Sequence, residues 1–156
     1  MWAKGAIAVA GLALGTMVGF TIYNKIKRET ALKKQKQTGK EVDKEIEALK
    51  KAGGKGPTLS NAQLSIMADQ LKVAFDGAGT DGNKVFTTLS LLKNDADVLS
   101  LIKVYGIRSH ENAVYGESKG TLPEAIAGEM PQADPIRRSI NDINEMFGKK
   151  GIKTRF

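Results

Sequence analysis

An all-α fold is the class this sequence predicts: an N-terminal transmembrane helix, then a charged helical stalk, then a five-helix head. Three observations carry that prediction. Gly5 to Tyr23 is a run of nineteen residues without a charged side chain. Between Leu64 and Phe147, apolar residues recur in five sets at helical spacing, with capping residues, glycines or prolines at their ends. No stretch alternates apolar and polar residues as a half-buried strand would. The divisions that follow are 1–24 for the transmembrane helix, 25–57 for a basic stalk and Gly-rich linker, 58–148 for the head and 149–156 for a basic tail.

As a helix rising about 1.5 Å per residue, Gly5 to Tyr23 spans roughly the hydrocarbon thickness of a bilayer. A secretory signal peptide is the rival reading, and the run is long for one, with a weak small-residue cleavage pattern. Gly11, Gly15 and Gly19 fall four residues apart on one face, where a second helix could approach closely and form a homo-oligomer. Trp2 and Tyr23 bracket the span as interfacial aromatics do. Lys4 stands alone on one flank, while Lys25, Lys27, Arg28, Lys33, Lys34 and Lys36 crowd the other. That asymmetry places the C-terminal head on the cytoplasmic side, or on the equivalent side of the membrane of a lipid-containing virus particle.

The stalk is the basic part of a chain whose formal net charge is +7. Residues 24–57 carry eleven Lys/Arg against five Asp/Glu, whereas residues 58–147 carry eight against twelve. Cations beside an apolar span are drawn to anionic headgroups at about 1 kcal/mol each. From Ile26 to Ala52 the composition is that of a charged helix, and Val42, Ile46 and Leu49 form one narrow apolar stripe. The expectation is a solvated helix or spacer, interrupted or kinked at Thr38-Gly39 and followed by a flexible break at Gly53–Pro57.

In the head, Ser60 with Gln63 forms a capping box for a helix whose apolar face is Leu64, Met67, Ala68, Leu71, Ala74 and Phe75. Gly77-Ala78-Gly79 ends it, because glycine reaches backbone conformations that tight turns require. Thr80 or Asp81 caps the second helix, with Val85, Phe86, Leu89 and Leu92 inward. Asp95 is read as the cap of a third helix bearing Val98, Leu99, Ile102 and Tyr105 and ended by Gly106. Arg108 to Gly120 reads as a polar loop. Thr121, Pro123 and Glu124 open a fourth helix that stops at Pro131. Asp134-Pro135 opens a fifth, with Ile136, Ile140, Ile143 and Phe147 inward.

The loop Gly77-Ala78-Gly79-Thr80-Asp81, Tyr105-Gly106 at the end of the third helix, and Leu122 to Met130 with Glu129 at its acidic position occur in that order. In this combination the segment from Leu64 to Phe147 resembles a single annexin repeat, a five-helix unit that holds calcium against acidic membranes. The resemblance implies a calcium site formed by the carbonyls of Phe75, Gly77 and Gly79 and the carboxylate of Glu129. Three features depart from the family. About ten extra residues separate Gly79 from Glu129, Gly82 stands where an acid commonly follows Thr-Asp, and one repeat is present instead of four.

Composition narrows the chemistry. The chain has no cysteine, so disulfides, thiolate metal sites and a cysteine nucleophile are absent. His110 is the single histidine, which rules out a multi-histidine metal centre. His110, Glu111 and Glu117 are the candidate acid–base residues, without a phosphate-binding loop or serine elbow beside them. Nucleic acid is a competing partner for the stalk and for Lys149, Lys150, Lys153 and Arg155, but no aromatic residues interleave with those charges. The expectation is a non-enzymatic single-pass membrane protein that serves as a structural docking or assembly module, in contact with the lipid bilayer and with other membrane or shell proteins. A calcium-dependent binding module for acidic membranes is the alternative, and a nucleic-acid-contacting membrane protein the second.

Overall fold

The computed structural model describes residues 31–76, 79–112 and 116–156. The predicted transmembrane helix lies outside them, together with Gly11, Gly15, Gly19, Lys25, Lys27, Arg28 and Gly77. Among the described residues no helix is long and apolar enough to cross a membrane.

The described chain is mostly helical, as predicted. Helix α1 spans Ala31–Lys51, and Lys33, Lys34 and Lys36 fall in its first two turns. The expected interruption at Thr38-Gly39 does not occur. Helical hydrogen bonding continues through Gly39, because one glycine costs only about 1 kcal/mol in a helix interior and a run of Lys, Glu, Gln and Ala offsets that. Two bonds close the helix in a Schellman arrangement, from Gly54 N–H to the Leu49 carbonyl (2.8 Å) and from Gly53 N–H to the Lys50 carbonyl (3.1 Å). Gly53 supplies the positive φ, +81°, that this cap demands.

Nor is α1 a solvated spacer. Val42 is fully buried, and Ile46 and Leu49 are half-buried. The narrow stripe is therefore a docking face, laid against helix α4 (Asp95–Tyr105). Asp43 pairs with Lys103 at 2.5 Å in the C-terminal half of α4. At the opposite end, the Asn94 amide capping α4 donates to the Gly56 carbonyl at 3.1 Å. The two helices thus run antiparallel.

Residues 53–60 are equally engaged with the head. Asp97, fully buried, accepts hydrogen bonds from Thr58 N–H (2.6 Å), the Thr58 hydroxyl (2.8 Å), Leu59 N–H (3.3 Å) and Lys93 N–H (3.1 Å). The expected flexible break is a tethered crossing.

The head contains α2 (Asn61–Phe75), α3 (Gly82–Leu89), α4, α5 (Leu122–Glu129) and α6 (Ile140–Lys149). Their inward faces meet in one core, in which Leu64, Leu71, Leu89, Leu101, Ile126 and Phe147 are almost fully buried. The Ser60–Gln63 capping box forms as expected. Asp81 caps α3, accepting from Lys84 N–H at 2.9 Å. Glu124 accepts the Thr121 N–H and hydroxyl at 2.8 and 2.9 Å at the start of α5.

Four local expectations are corrected. Asn94, not Asp95, caps α4, its side chain accepting from Asp97 N–H at 2.9 Å. Asp95 instead accepts Lys153 N–H, Thr154 N–H and the Thr154 hydroxyl at 2.7–2.9 Å. Arg108 to Gly120 is an antiparallel hairpin, β1 (Arg108–Asn112) and β2 (Gly116–Gly120), with His110 opposite Ser118.

The last helix begins at Ile140, where Ser139 and Asp142 cap each other reciprocally, rather than at Asp134-Pro135. The Asp134 carboxylate is occupied by a turn, accepting Ile136 and Arg137 N–H groups at 2.8 Å, so Ile136 is 92 % exposed instead of inward. The residues expected as a basic tail also pack onto the head. Ile152 is buried, and Asn144 holds the Phe156 backbone with two 3.0 Å hydrogen bonds.

Candidate functional site

The glycine loop, the hairpin and the end of α5 meet at one corner of the head. Phe75 closes α2, and Asp81 N–H donates back to the Ala74 carbonyl at 2.9 Å. Gly79 has φ +152°, a conformation open to glycine and strained for other residues. Beyond it, the Thr80 hydroxyl donates to Glu129 Oε2 at 3.2 Å. The loop and the distant acid are thus neighbours, although 49 residues separate them.

Calcium takes six to eight oxygen ligands. The side chains described here fall short of that shell. Asp81 is occupied in capping α3 and Asp76 is paired with Lys72, which leaves Glu129 with the Thr80 hydroxyl facing the loop. Among the described residues no group of three or more His, Cys, Asp or Glu could hold a metal.

Behind the loop lies a polar knot that the sequence did not reveal. His110 is 1 % exposed, and its Nε2 is 2.7 Å from the Tyr105 hydroxyl. The two rings stack at 5.9 Å, and the Phe75 ring meets His110 edge-on at 5.5 Å. His110 Nδ1 is buried and has no hydrogen-bond partner among the described residues. Burial pushes the imidazole below its ordinary pKa; Asp76 and Glu129 pull it upward, and Lys72 and Arg108 add to the depression. Burial likewise raises the Tyr105 hydroxyl, against the opposing pull of Arg108, whose guanidinium sits 5.2 Å from the ring centroid. Both groups are therefore neutral near pH 7.

The pair is closed off from solvent. A substrate has no access to an imidazole 1 % exposed, and general acid–base catalysis requires hydrogen-bond reach to the reacting proton. Glu111 and Glu117, the other acid–base candidates, stand opposite each other in the hairpin register. Arg108 fixes the base of β1 by pairing with Asp69 (2.6 Å) and donating to the Tyr105 carbonyl (3.1 Å).

Three of the tail cations expected to compete for nucleic acid have partners within the head. Lys149 pairs with Glu145 at 2.6 Å, Lys150 donates to the Ser90 and Leu92 carbonyls, and Arg155 donates to the Ile152 and Thr154 carbonyls. Lys150 thereby serves the C-terminal end of α3, where a helix leaves carbonyls unpaired.

The residues that sequence reasoning missed are Asp95 and Asp97. Both look like ordinary first-turn acids of α4, and only the fold shows that each binds a remote segment. No protein-family model, characterised protein or solved structure matches this chain, so the reading of the site rests on its own geometry.

Proposed function

We propose that this chain is a non-enzymatic, single-pass membrane protein whose annexin-like head is a docking or assembly module. It would act between a lipid bilayer and a neighbouring membrane or shell protein, on the cytoplasmic side or as a minor structural protein of a lipid-containing virus particle. One observation supports this most: the basic stalk is fastened along the head by Val42 and the Asp43–Lys103 pair, and the following crossing is tied by Asp97. A head carried at fixed geometry by an apolar-anchored helix suits positioning a partner. The buried, neutral Tyr105–His110 pair offers no reactive group to solvent.

The calcium-dependent reading is favoured by a different observation, the Thr80–Glu129 contact across the glycine loop. One experiment addresses both. The full chain is expressed, and its membrane fraction is extracted with alkaline carbonate; residues 31–156 alone are mixed with anionic vesicles with and without calcium. The proposal expects the full chain to resist extraction and the truncated chain to stay unbound in either condition. Extraction of the full chain would overturn the anchored reading. Calcium-dependent binding of the truncated chain would replace docking with the calcium module.

A further inference from the structure

Glu45 lies on the face of α1 that meets the head. It is half-buried, and its Oε2 is inaccessible to solvent and without a hydrogen-bond partner among the described residues. A buried carboxylate oxygen without a donor is costly, because the hydration it loses is not replaced. The surrounding charges make matters worse. Asp95, in the first turn of α4, is the head's charged group that acts on it, and like charges disfavour ionisation. Asp95 itself accepts the Lys153 and Thr154 N–H groups and the Thr154 hydroxyl. Lys103, on the α4 face that meets α1, is paired with Asp43.

We propose that the joint between stalk and head is a proton-sensitive latch, closed by proton uptake at Glu45 and loosened by its ionisation. The reaction is simple addition of a solvent proton to the carboxylate, which removes the buried negative charge that Asp95 opposes. Val42 and the Asp43–Lys103 pair hold α1 in register, and Glu45 decides how firmly.

Burial first and Asp95 second raise the Glu45 carboxyl above its ordinary value of 4.5. A group bound to its proton more tightly when docked favours docking as pH falls. The closed joint is therefore fully favoured below 4.5 and loses that contribution as pH rises through the raised value. The latch depends only on described residues and does not require the N-terminal segment to span a membrane.

Hydrogen exchange of the full chain in detergent micelles tests this between pH 5 and 8, with each rate corrected for intrinsic exchange. Protection of α1 amides from Val42 to Lys51 should rise on acidification, by up to about tenfold per unit that docking raises the Glu45 pKa. Amides of α2 report the head itself and should show no such gain. Glu45→Gln, which carries no titratable proton, should hold α1 protection at the acid level throughout. Flat α1 protection in the unaltered chain would overturn the latch. So would a Glu45→Gln chain that keeps the pH dependence, since another group would then be responsible.

Discussion

Removing the Asp97 carboxylate should destabilise the whole described fold, and the structure sets the scale. Asp97→Ala deprives three backbone N–H groups, of Thr58, Leu59 and Lys93, and the Thr58 hydroxyl of their acceptor. Hydrogen bonds to a charged group contribute about 1.5–3 kcal/mol each. Thr58 and Lys93 are exposed, so water can replace part of what they lose, and the hydroxyl can turn outward. Discounting to about 1 kcal/mol for each backbone donor gives a loss of about 3 kcal/mol, a large share of the roughly 5–15 kcal/mol that holds a typical domain together.

Urea titration followed by circular dichroism at 222 nm reads this directly. With a slope near 1.5 kcal/mol per molar urea, the midpoint should fall by about 2 M. Asp97→Asn keeps one accepting oxygen but turns an amide toward donors, so it should cost roughly half as much. An Asp97→Ala loss below about 1 kcal/mol would refute the view that this carboxylate ties the crossing to α4.

Four further outcomes follow from the same structure. Because His110 titrates below its ordinary value when folded, its contribution is intact above pH 6.5 and declines as pH falls, by at most about 1.4 kcal/mol per unit; His110→Phe should remove that slope from thermal melts. Gly39→Ala should raise the melting temperature, with a gain of up to about 1 kcal/mol, since Lys103 Cε would be the nearest atom to the new Cβ, at 4.0 Å. Glu129→Gln should weaken only its bond with Thr80, by about 1 kcal/mol or less, and calorimetry should record no calcium binding to either form under the docking reading. Ile136→Ser should leave stability within about 0.5 kcal/mol in urea titration, whereas a core isoleucine would cost several times more.

What could be read from the sequence was local. Ser60–Gln63, Thr121–Glu124 and Asp81 announce helix starts because each cap is completed within three residues, and the apolar sets between them identify the core. Competition between neighbouring caps was harder to rank. Asn94 beside Asp95, and Ser139 five residues after Asp134, each offer a sound helix start, and the winner was settled by where the rival carboxylate found other donors.

The hairpin gave no signal because β1 is Arg-Ser-His-Glu-Asn: its buried anchor is a histidine, and polar strands carry no hydrophobic alternation. Docking of α1 was hidden for a similar reason, since a stripe of Val42, Ile46 and Leu49 in a 21-residue charged helix describes a solvated helix as well as a packed one. The corner formed by Thr80, Glu129, Tyr105 and His110 was half legible. Glu129 is linked to the loop through the annexin resemblance, whereas the Tyr105–His110 bond joins a helix end to a strand whose polar sequence reads as a loop.

The antiparallel course of α1 along α4 limits how far the head can reach. Lys103 lies alongside Gly39, eight residues or about 12 Å of helix after Ala31. From there the chain doubles back through the tethered crossing, and the far end of α4, with the hairpin that follows it, returns toward the side from which the stalk arrives. With α1 docked, the length that runs along α4 is folded back beside the head rather than added to its reach. Reach would increase only if α1 peeled from α4, exchanging a buried valine and one ion pair for several turns of free helix.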